Sequence, residues 1–292
     1  MTASVYSTQL NASLFSRWSQ NRSWKKFNKN PVGWFGLIII VTFILLAIFA
    51  PLLANYDPVK TNWMAVRQAP SLEYWLGTDE IGRDIYSRLL YGARASLMAG
   101  FFSVVIAFMI GVPLGMMAGY FGGRIDTVIS RCSEAVMAIP SLILAISLAA
   151  ALGASLVNAM IAIGIANVPL FIRLTRGQVL STKYMEYVEA AHSIGVSHLG
   201  ILVKYIFPNI VAPLFIQVTL SLASAIIAES SLSFLGLGQQ APDPSWGSML
   251  NSAKGFLTQA PWMAIWPGLA IFTIVLAFNL FGDALRDAFD PK

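Results

Sequence analysis

The sequence predicts an all-α membrane protein with six transmembrane helices, and three observations carry that prediction. First, 57% of the 292 residues are hydrophobic and only 11% are charged, where an average soluble domain carries about 25% charged residues. Second, the stretches 30–56, 95–123, 135–172, 205–228 and 255–282 hold no Asp, Glu, Lys or Arg. Each is long enough for the roughly 20 apolar residues of a membrane-crossing helix, which satisfies its backbone polar groups internally. Third, the alternating segments of about 10 residues that build a membrane β-barrel do not occur.

The elements follow in chain order. Residues 1–30 carry Arg17, Arg22, Lys25, Lys26 and Lys29 and no acid, which places this tail in the cytoplasm. Phe15, Trp18, Trp24 and Phe27 alternate with these cations, a mix suited to lying on an anionic leaflet. Span 1 is expected over 32–54. It begins about 30 residues in and outruns the ~7–15-residue core of a signal peptide, so it reads as an uncleaved span. An external loop follows. Within it, Thr78–Leu90 predicts an amphipathic helix: Thr78 or Asp79 caps it, Ile81, Ile85 and Leu89 share a face, and Asp84 pairs with Arg88 one turn on. Span 2 is expected over 96–120, with Gly111, Gly115 and Gly119 spaced for close helix packing. The uncharged stretch 135–172 has 38 residues, close to two crossings. Gly153-Ala154-Ser155 supplies a turn, giving span 3 at 128–152 and span 4 at 156–175, kinked by Pro140 and Pro169. Basic-residue counts do not decide between five and six crossings; length favours six. Span 5 is expected over 209–233 and span 6 over 262–282, with the tail returning to the cytoplasm. Trp63, Trp75, Trp246, Trp262 and Trp266 all fall on the expected outer side, as an aromatic belt.

The net charge of +5 comes from cations beside membrane spans, as topology requires, and does not indicate nucleic-acid binding. The single Cys132 excludes an intramolecular disulfide and a cysteine-based zinc cluster. Two histidines, His192 and His198, are too few for a metal relay and read as interfacial hydrogen-bonders. No metal site and no nucleophile–base pair is apparent, which speaks against a membrane-embedded enzyme.

Residues 176–207 form a polar loop between spans 4 and 5. Thr182–His192 predicts a short helix, with Gly195 placed to end it at positive φ. Ser197 caps a second helix running to Pro208. Ala190 and Ala191 give the first helix a smooth face, and Glu186 and Glu189 add charges for a partner. A helix–glycine–helix between two spans is a lever.

These residues carry a resemblance. Glu189-Ala190-Ala191, Gly195, then Tyr205-Ile206-Phe207-Pro208 resembles the EAA loop of ABC-importer permeases. The family pattern ends Ile-x-Leu-Pro, so Tyr205 and Phe207 depart in kind while keeping apolar character. Two further blocks resemble the C-type permeases of the dipeptide/oligopeptide/nickel group. One is Leu76-Gly77-Thr78-Asp79 with Gly82-Arg83-Asp84, Ser87-Arg88, Gly92, Arg94 and Ser96-Leu97. The other is Glu229–Gly238 with Pro242, Pro244, Trp246 and Gly247. The end, Trp266-Pro267-Gly268 through Asn279, Gly282-Asp283 and Asp290-Pro291, is similar too. The likeness covers about residue 24 to the C-terminus.

The resemblance implies a type I ABC importer permease fold in a bacterial inner membrane. It divides the chain into a basic tail (1–30), a first transmembrane helix (31–55), an external loop with an amphipathic helix (56–95), a core permease domain (96–283) with a coupling loop (176–207), and a cytoplasmic tail (284–292). It implies a heterodimer with a sister permease, two ATPase subunits, an external substrate-binding protein and surrounding membrane lipid. The chain has no Gly-x-x-x-x-Gly-Lys-Ser/Thr loop, so ATP and magnesium belong to the partner ATPases and no cofactor is expected on this chain. Glu186, Glu189, Ala190, Ala191, His192, Gly195 and Pro208 are the expected ATPase-coupling residues. Asp79, Arg83, Asp84 and Trp246 are candidates for binding-protein or external-gate contacts, although capping and pairing within the loop explain the three charges equally well. Gln217, Glu229 and Asn279 are candidate pore contacts, with helix–helix hydrogen bonding or a place in the serine-rich turn as the alternative. The implied cargo is di- or oligopeptides, with nickel complexes, glutathione or other small conjugates as alternatives. An ion-coupled secondary transporter is the competing class; it often places ionisable groups near mid-membrane, whereas here they lie at span ends.

Overall fold

The computed structural model describes residues 26–289. Most of the basic tail, including Arg17, Arg22, Lys25 and the aromatics Phe15, Trp18 and Trp24, lies outside the described residues, as do the last three. Among the described residues the structure is helical, with one isolated antiparallel bridge between Thr78 and Asp84.

Helix α1 (Pro31–Ile48) starts where Asn30 accepts hydrogen bonds from the Val32 and Gly33 amides at 3.0 and 3.2 Å, with Pro31 in the first turn, where its missing N–H costs nothing. A short α2 (Ala50–Leu53) follows. Phe27, expected to lie on the leaflet, is instead buried, its ring edge-on to Phe281 at 5.8 Å.

Helix α3 (Ile85–Phe121) has 37 residues, about 55 Å. The expected external helix over 78–90 and span 2 are therefore one helix, starting seven residues later than Thr78. Gly77 and Gly82 have φ of +82 and +79°, and the Asp79 carboxylate accepts from the Ile81 and Arg83 amides at 3.1 and 2.9 Å. That local network folds 78–84 into a turn and leaves Asp84 as the cap, accepting from the Ser87 amide at 2.8 Å.

Helices α4 (Gly123–Met137) and α5 (Ser141–Leu152) replace the single span expected over 128–152 and meet at an 88° bend. Pro140 lacks an N–H and disfavours helical backbone at Ile139, and α4 carries Arg124, Asp126, Arg131 and Glu134, costly in hydrocarbon. Helix α5 alone is about 18 Å long, short of the ~30 Å core. Among the described residues five helices are long and apolar enough to cross a membrane, or six if this bent pair is one broken span.

Helix α6 (Leu156–Thr182) begins at Ser155, whose hydroxyl accepts from the Asn158 amide. The reversal is closed by Asn158, which donates to the Leu152 and Gly153 carbonyls, each at 2.9 Å. Helix α6 runs seven residues past the expected end of span 4. It packs on α3 through the glycine stripe. A Cβ at Gly111 would lie 2.6 Å from the Phe171 Cβ, at Gly115 2.7 Å from the Ile172 carbonyl, and at Gly119 2.8 Å from the Val179 Cβ. The two backbones are thus in direct contact, the close approach that small residues permit in lipid.

Beyond α6 come α7 (Glu186–Ser193), α8 (His198–Ile201), a π-turn (Leu202–Ile206) and α9 (Phe207–Phe234). Helix α10 (Trp246–Ala253) opens with a capping box between Ser245 and Ser248. Helix α11 (Trp262–Phe289) continues past the expected residue 282, so the described part of the tail is helical. Helix α1 lies against α11, where a Cβ at Gly36 would meet the Ala277 carbonyl at 2.7 Å.

Candidate functional site

The end of the bundle that carries α7 is exposed and polar. Helix α7 starts at Glu186 rather than at Thr182, because Thr182 closes α6 and Lys183–Met185 form a turn. Only Val188 and Ala191, each 2% exposed, pack into the main core. Glu186, Glu189, Ala190 and His192 face outward. Gly195 has φ +81°, and its amide donates to the His192 carbonyl while the Val196 amide donates to that of Ala191, each at 3.1 Å. Ser197 then caps α8, accepting from the Gly200 amide.

The expected break at Pro208 is absent. Proline cannot donate to the helix ladder, and the chain takes up the mismatch one turn earlier: the Phe207 amide donates to the Leu202 carbonyl, five residues back. His198–Phe234 is therefore a continuous 37-residue rod.

Around α7 lies a cavity of about 630 Å³ whose lining includes Tyr120, Lys183, Glu189, His192 and His198. The Tyr120 hydroxyl and His198 Nδ1 are 2.8 Å apart, and the two histidine rings are 5.3 Å apart. Tyr184, Ile194 and Leu199 are 71, 77 and 72% exposed, an apolar rim of the kind that marks an interaction surface. Two contacts sequence reasoning missed hold the base of this assembly. Arg176 on α6 donates two hydrogen bonds to Asp126 on α4, the Nη2 bond measuring 2.8 Å. Lys183 donates to the Gly119 carbonyl at 3.1 Å. The two members of the ion pair are 50 residues apart, and no local spacing links them.

At the opposite end, Asp79, Arg83, Asp84 and Trp246 are brought together but enclosed, at 5, 5, 3 and 0% exposure. Arg83 Nε donates to Asp79 at 2.6 Å, and Arg88 pairs with Asp79 at 3.4 Å rather than with Asp84. Arg88 also donates to the Pro58 and Pro242 carbonyls. The Trp246 indole donates to the Leu89 carbonyl, and its ring meets Phe43 edge-on. Trp246 is thus an internal pin and not part of an aromatic belt. These four side chains knit the segment ahead of α3 to α3 and α10, and they are buried within this chain.

Gln217, Glu229 and Asn279 are not brought together. Gln217 donates to Ser221 within α9. Glu229 is fully buried and accepts from the Ser233 hydroxyl at 2.7 Å. Asn279 is half-buried on α11. A cavity of about 140 Å³ lies instead between α5, α6 and α9, its polar lining supplied by Ser141, Asn167, Ser224 and Ser231. Ser141, Asn167 and Ser224 were legible only as polar residues inside uncharged stretches and Ser231 only as part of the serine-rich turn; Ser141 is the first residue after the α4–α5 bend.

With this geometry in place, the comparisons are specific. The family model for a binding-protein-dependent transport system inner membrane component matches residues 111–292. That for the N-terminal TM domain of oligopeptide transport permease C matches residues 16–70. The chain is 48% identical over 270 residues to the dipeptide transport system permease protein DppC of Alkalihalophilus pseudofirmus, covering 92% of this chain and 89% of that protein. It is 42% identical over 270 residues to the glutathione transport system permease protein GsiD of Pectobacterium atrosepticum, covering 92% and 90%. Among solved structures it is similar to a chain of the inward-facing MetNI methionine ABC transporter, with a TM-score of 0.55 and 18% identity, covering 69% of this chain and 96% of that one. That last likeness is one of fold.

Proposed function

The chain belongs to the binding-protein-dependent transport system inner membrane component family, and from that premise we propose that it forms, with a sister permease, the membrane path for di- or oligopeptides delivered by an external binding protein. It is a multi-pass inner-membrane permease subunit of an ABC importer, and ATP hydrolysis belongs to partner subunits. Both termini and the α7 end face the cytoplasm, from which two ATPases dock on the permease pair, with α7 as this chain's contact. The core permease unit runs from residue 96 to 283, with 176–207 as its coupling loop.

One observation carries the reading. Helix α7 presents Glu186, Glu189, Ala190 and His192 outward while Val188 and Ala191 seat it on the core, and Gly195 joins it to the rod that ends at Phe234. A displacement of α7 by closing ATPases is delivered to α9 as a rigid-body shift, a two-state change biased by nucleotide. The cargo path follows the cavity with Asn167 and the three serines. Its uncharged polar lining lets a zwitterionic peptide pass without a fixed charge to trap it. The names of the two relatives support dipeptides first and glutathione as the alternative.

The test is reconstitution with the sister permease, ATPases and binding protein in proteoliposomes, comparing the native chain with Glu186→Arg/Glu189→Arg. The native complex is expected to take up a labelled dipeptide only with ATP. The double variant is expected to insert and pair with the sister permease but to lose the ATPases. Uptake driven by an ion gradient without ATPases would overturn the reading. Uptake of glutathione and not of dipeptide would move the cargo alone.

A further inference from the structure

A groove of about 460 Å³ opens on the surface of the bundle between α1 and α3, floored by Leu222 and Ile226 of α9 and Phe278 of α11. Its walls are two helical stripes. Ile40, Ile44 and Ile48 recur every four residues on α1, and Leu97, Met98 and Phe101 share a face of α3 with Arg94 one turn above. Every lining side chain but Arg94 is apolar or uncharged, and Arg94 is exposed. Its guanidinium lies 5.9 Å from the Tyr91 ring centre, and no acidic group pairs with it among the described residues.

Depth fixes what such a cation meets. From Arg94 to the end of α3 at Phe121 is about 40 Å, close to the ~40–45 Å thickness of a bilayer with its headgroups. Arg94 therefore sits at headgroup level when Phe121 reaches the opposite surface. From Ile48 to Ile40 the α1 wall runs about 12 Å, most of one leaflet's ~15 Å half of the hydrocarbon core.

We propose that this groove is a binding site for a single phospholipid of the leaflet at the Trp246 end, with one acyl chain between α1 and α3 and the phosphodiester on Arg94. Apolar lining alone does not select a lipid, because tails are as apolar as leucine. Shape and charge do: the groove has the reach of an acyl chain, and a guanidinium is a bidentate donor to phosphate oxygens. Basic positions between transmembrane helices hold lipid headgroups in the same way. The bound lipid seals α1 to the core along a seam where the two helices do not themselves close.

Native mass spectrometry of the full complex, with its sister permease and ATPases, titrated with palmitoyl-oleoyl phosphatidylglycerol tests this. Arg94→Gln is expected to weaken retention of one lipid about tenfold, the effect of losing one charge-assisted hydrogen bond, and Leu97→Trp to abolish it by filling the tail site. Arg131→Gln, an exposed cation on α4, is expected to change nothing. A photo-crosslinker at Met98 is expected to capture lipid. Equal lipid retention by the native complex and both groove variants would overturn the proposal, as would capture of a protein chain at Met98, which would make the groove a subunit interface. Because Arg94→Gln alters an exposed side chain, its effect separates lipid loss from misfolding of the tryptophan variant.

Discussion

Gly195 offers the sharpest test of the lever, because the structure separates its two possible requirements. Its φ is +81°, in the left-handed region, and an added Cβ would meet no atom within 4 Å. Size is therefore irrelevant and backbone conformation is everything. An L-residue with a Cβ pays about 1–2 kcal/mol there, while asparagine tolerates the region better. If α7 in the undocked variant relaxes to another bend, only a fraction of molecules presents it correctly, and apparent affinity for the ATPases falls by that fraction. One to two kcal/mol corresponds to about 5–30-fold. The assay is titration of the ATPase subunits onto the permease pair in nanodiscs, read by co-sedimentation and by ATP hydrolysis. Gly195→Asn is expected within about threefold of native, and Gly195→Ala to be about 5–30-fold weaker. Gly195→Val is expected to be at least as weak as alanine. If alanine matched glycine, or if asparagine were as poor as valine, the left-handed hinge would not be what positions α7.

Two further predictions concern the rigid parts around that hinge. Gly115→Ala places a Cβ 2.7 Å from the Ile172 carbonyl and from the Thr175 Cβ, well inside the ~3.5–4.0 Å of ordinary contact, so thermal unfolding of the complex should show a loss of about 1–3 kcal/mol. Gly177→Ala on α6, with nothing within 4 Å, should instead hold or gain about 0.5–1 kcal/mol; equal effects at both sites would refute backbone contact along the α3–α6 seam. Asp126→Asn removes the charge from a bidentate pair that is 20 and 35% exposed at its side chains, so solvent screening limits its stability cost to about 1 kcal/mol. The double variant with Arg176→Gln should cost no more than the sum of the two single changes, measured by a double-mutant cycle in the same assay.

What the sequence yielded and what it withheld divide along a physical line. The spans followed from uncharged length, and the glycine stripe on α3 from its period of four, because both are properties of one helix in lipid. The start of α3 did not follow. Thr78 and Asp84 are both good caps, and the choice between them was made by Asp79 closing a turn onto the Ile81 and Arg83 amides. The α4–α5 bend was visible as Pro140, but its 88° size depends on α4 lying where Asp126 can reach Arg176. Glu229 takes the alternative read for it, a bond to Ser233 one turn on, whereas Trp246 read as a surface residue because nothing local shows that Leu89 and Phe43 enclose it. Apart from the local choice of cap for α3, the contacts that sequence spacing could not supply span 50 or more residues.

The packing also says where a push on α7 can go. Val188 and Ala191 belong to the same buried cluster as Val112, Phe171 and Ile210, so α7, α6 and the adjacent part of α3 share one body. The glycine stripe tightens that body, since two backbones in contact have little room to slide. A second cluster unites Ile40, Trp246 and Ile274, and with them α1, α10 and α11. Leu222 of α9 packs against both clusters. At the Trp246 end, the Asp79–Arg83–Arg88 network and the buried indole fix the second body to the start of α3, so relative motion is restrained there. At the α7 end the restraints are the Arg176–Asp126 pair, the Lys183–Gly119 hydrogen bond, the Tyr120–His198 hydrogen bond and one glycine bend, and all of them lie within the first body. In the proposed mechanism, a push on α7 by the ATPases is expected to swing the first body about the end locked by Trp246. Helix α9, joined to the hinge through α8 and the π-turn, touches both bodies, and the cavity with Asn167 and Ser224 lies along its face. The proposed mechanism therefore predicts that a small displacement at the hinge changes the width of the proposed path, most on the side nearest α7.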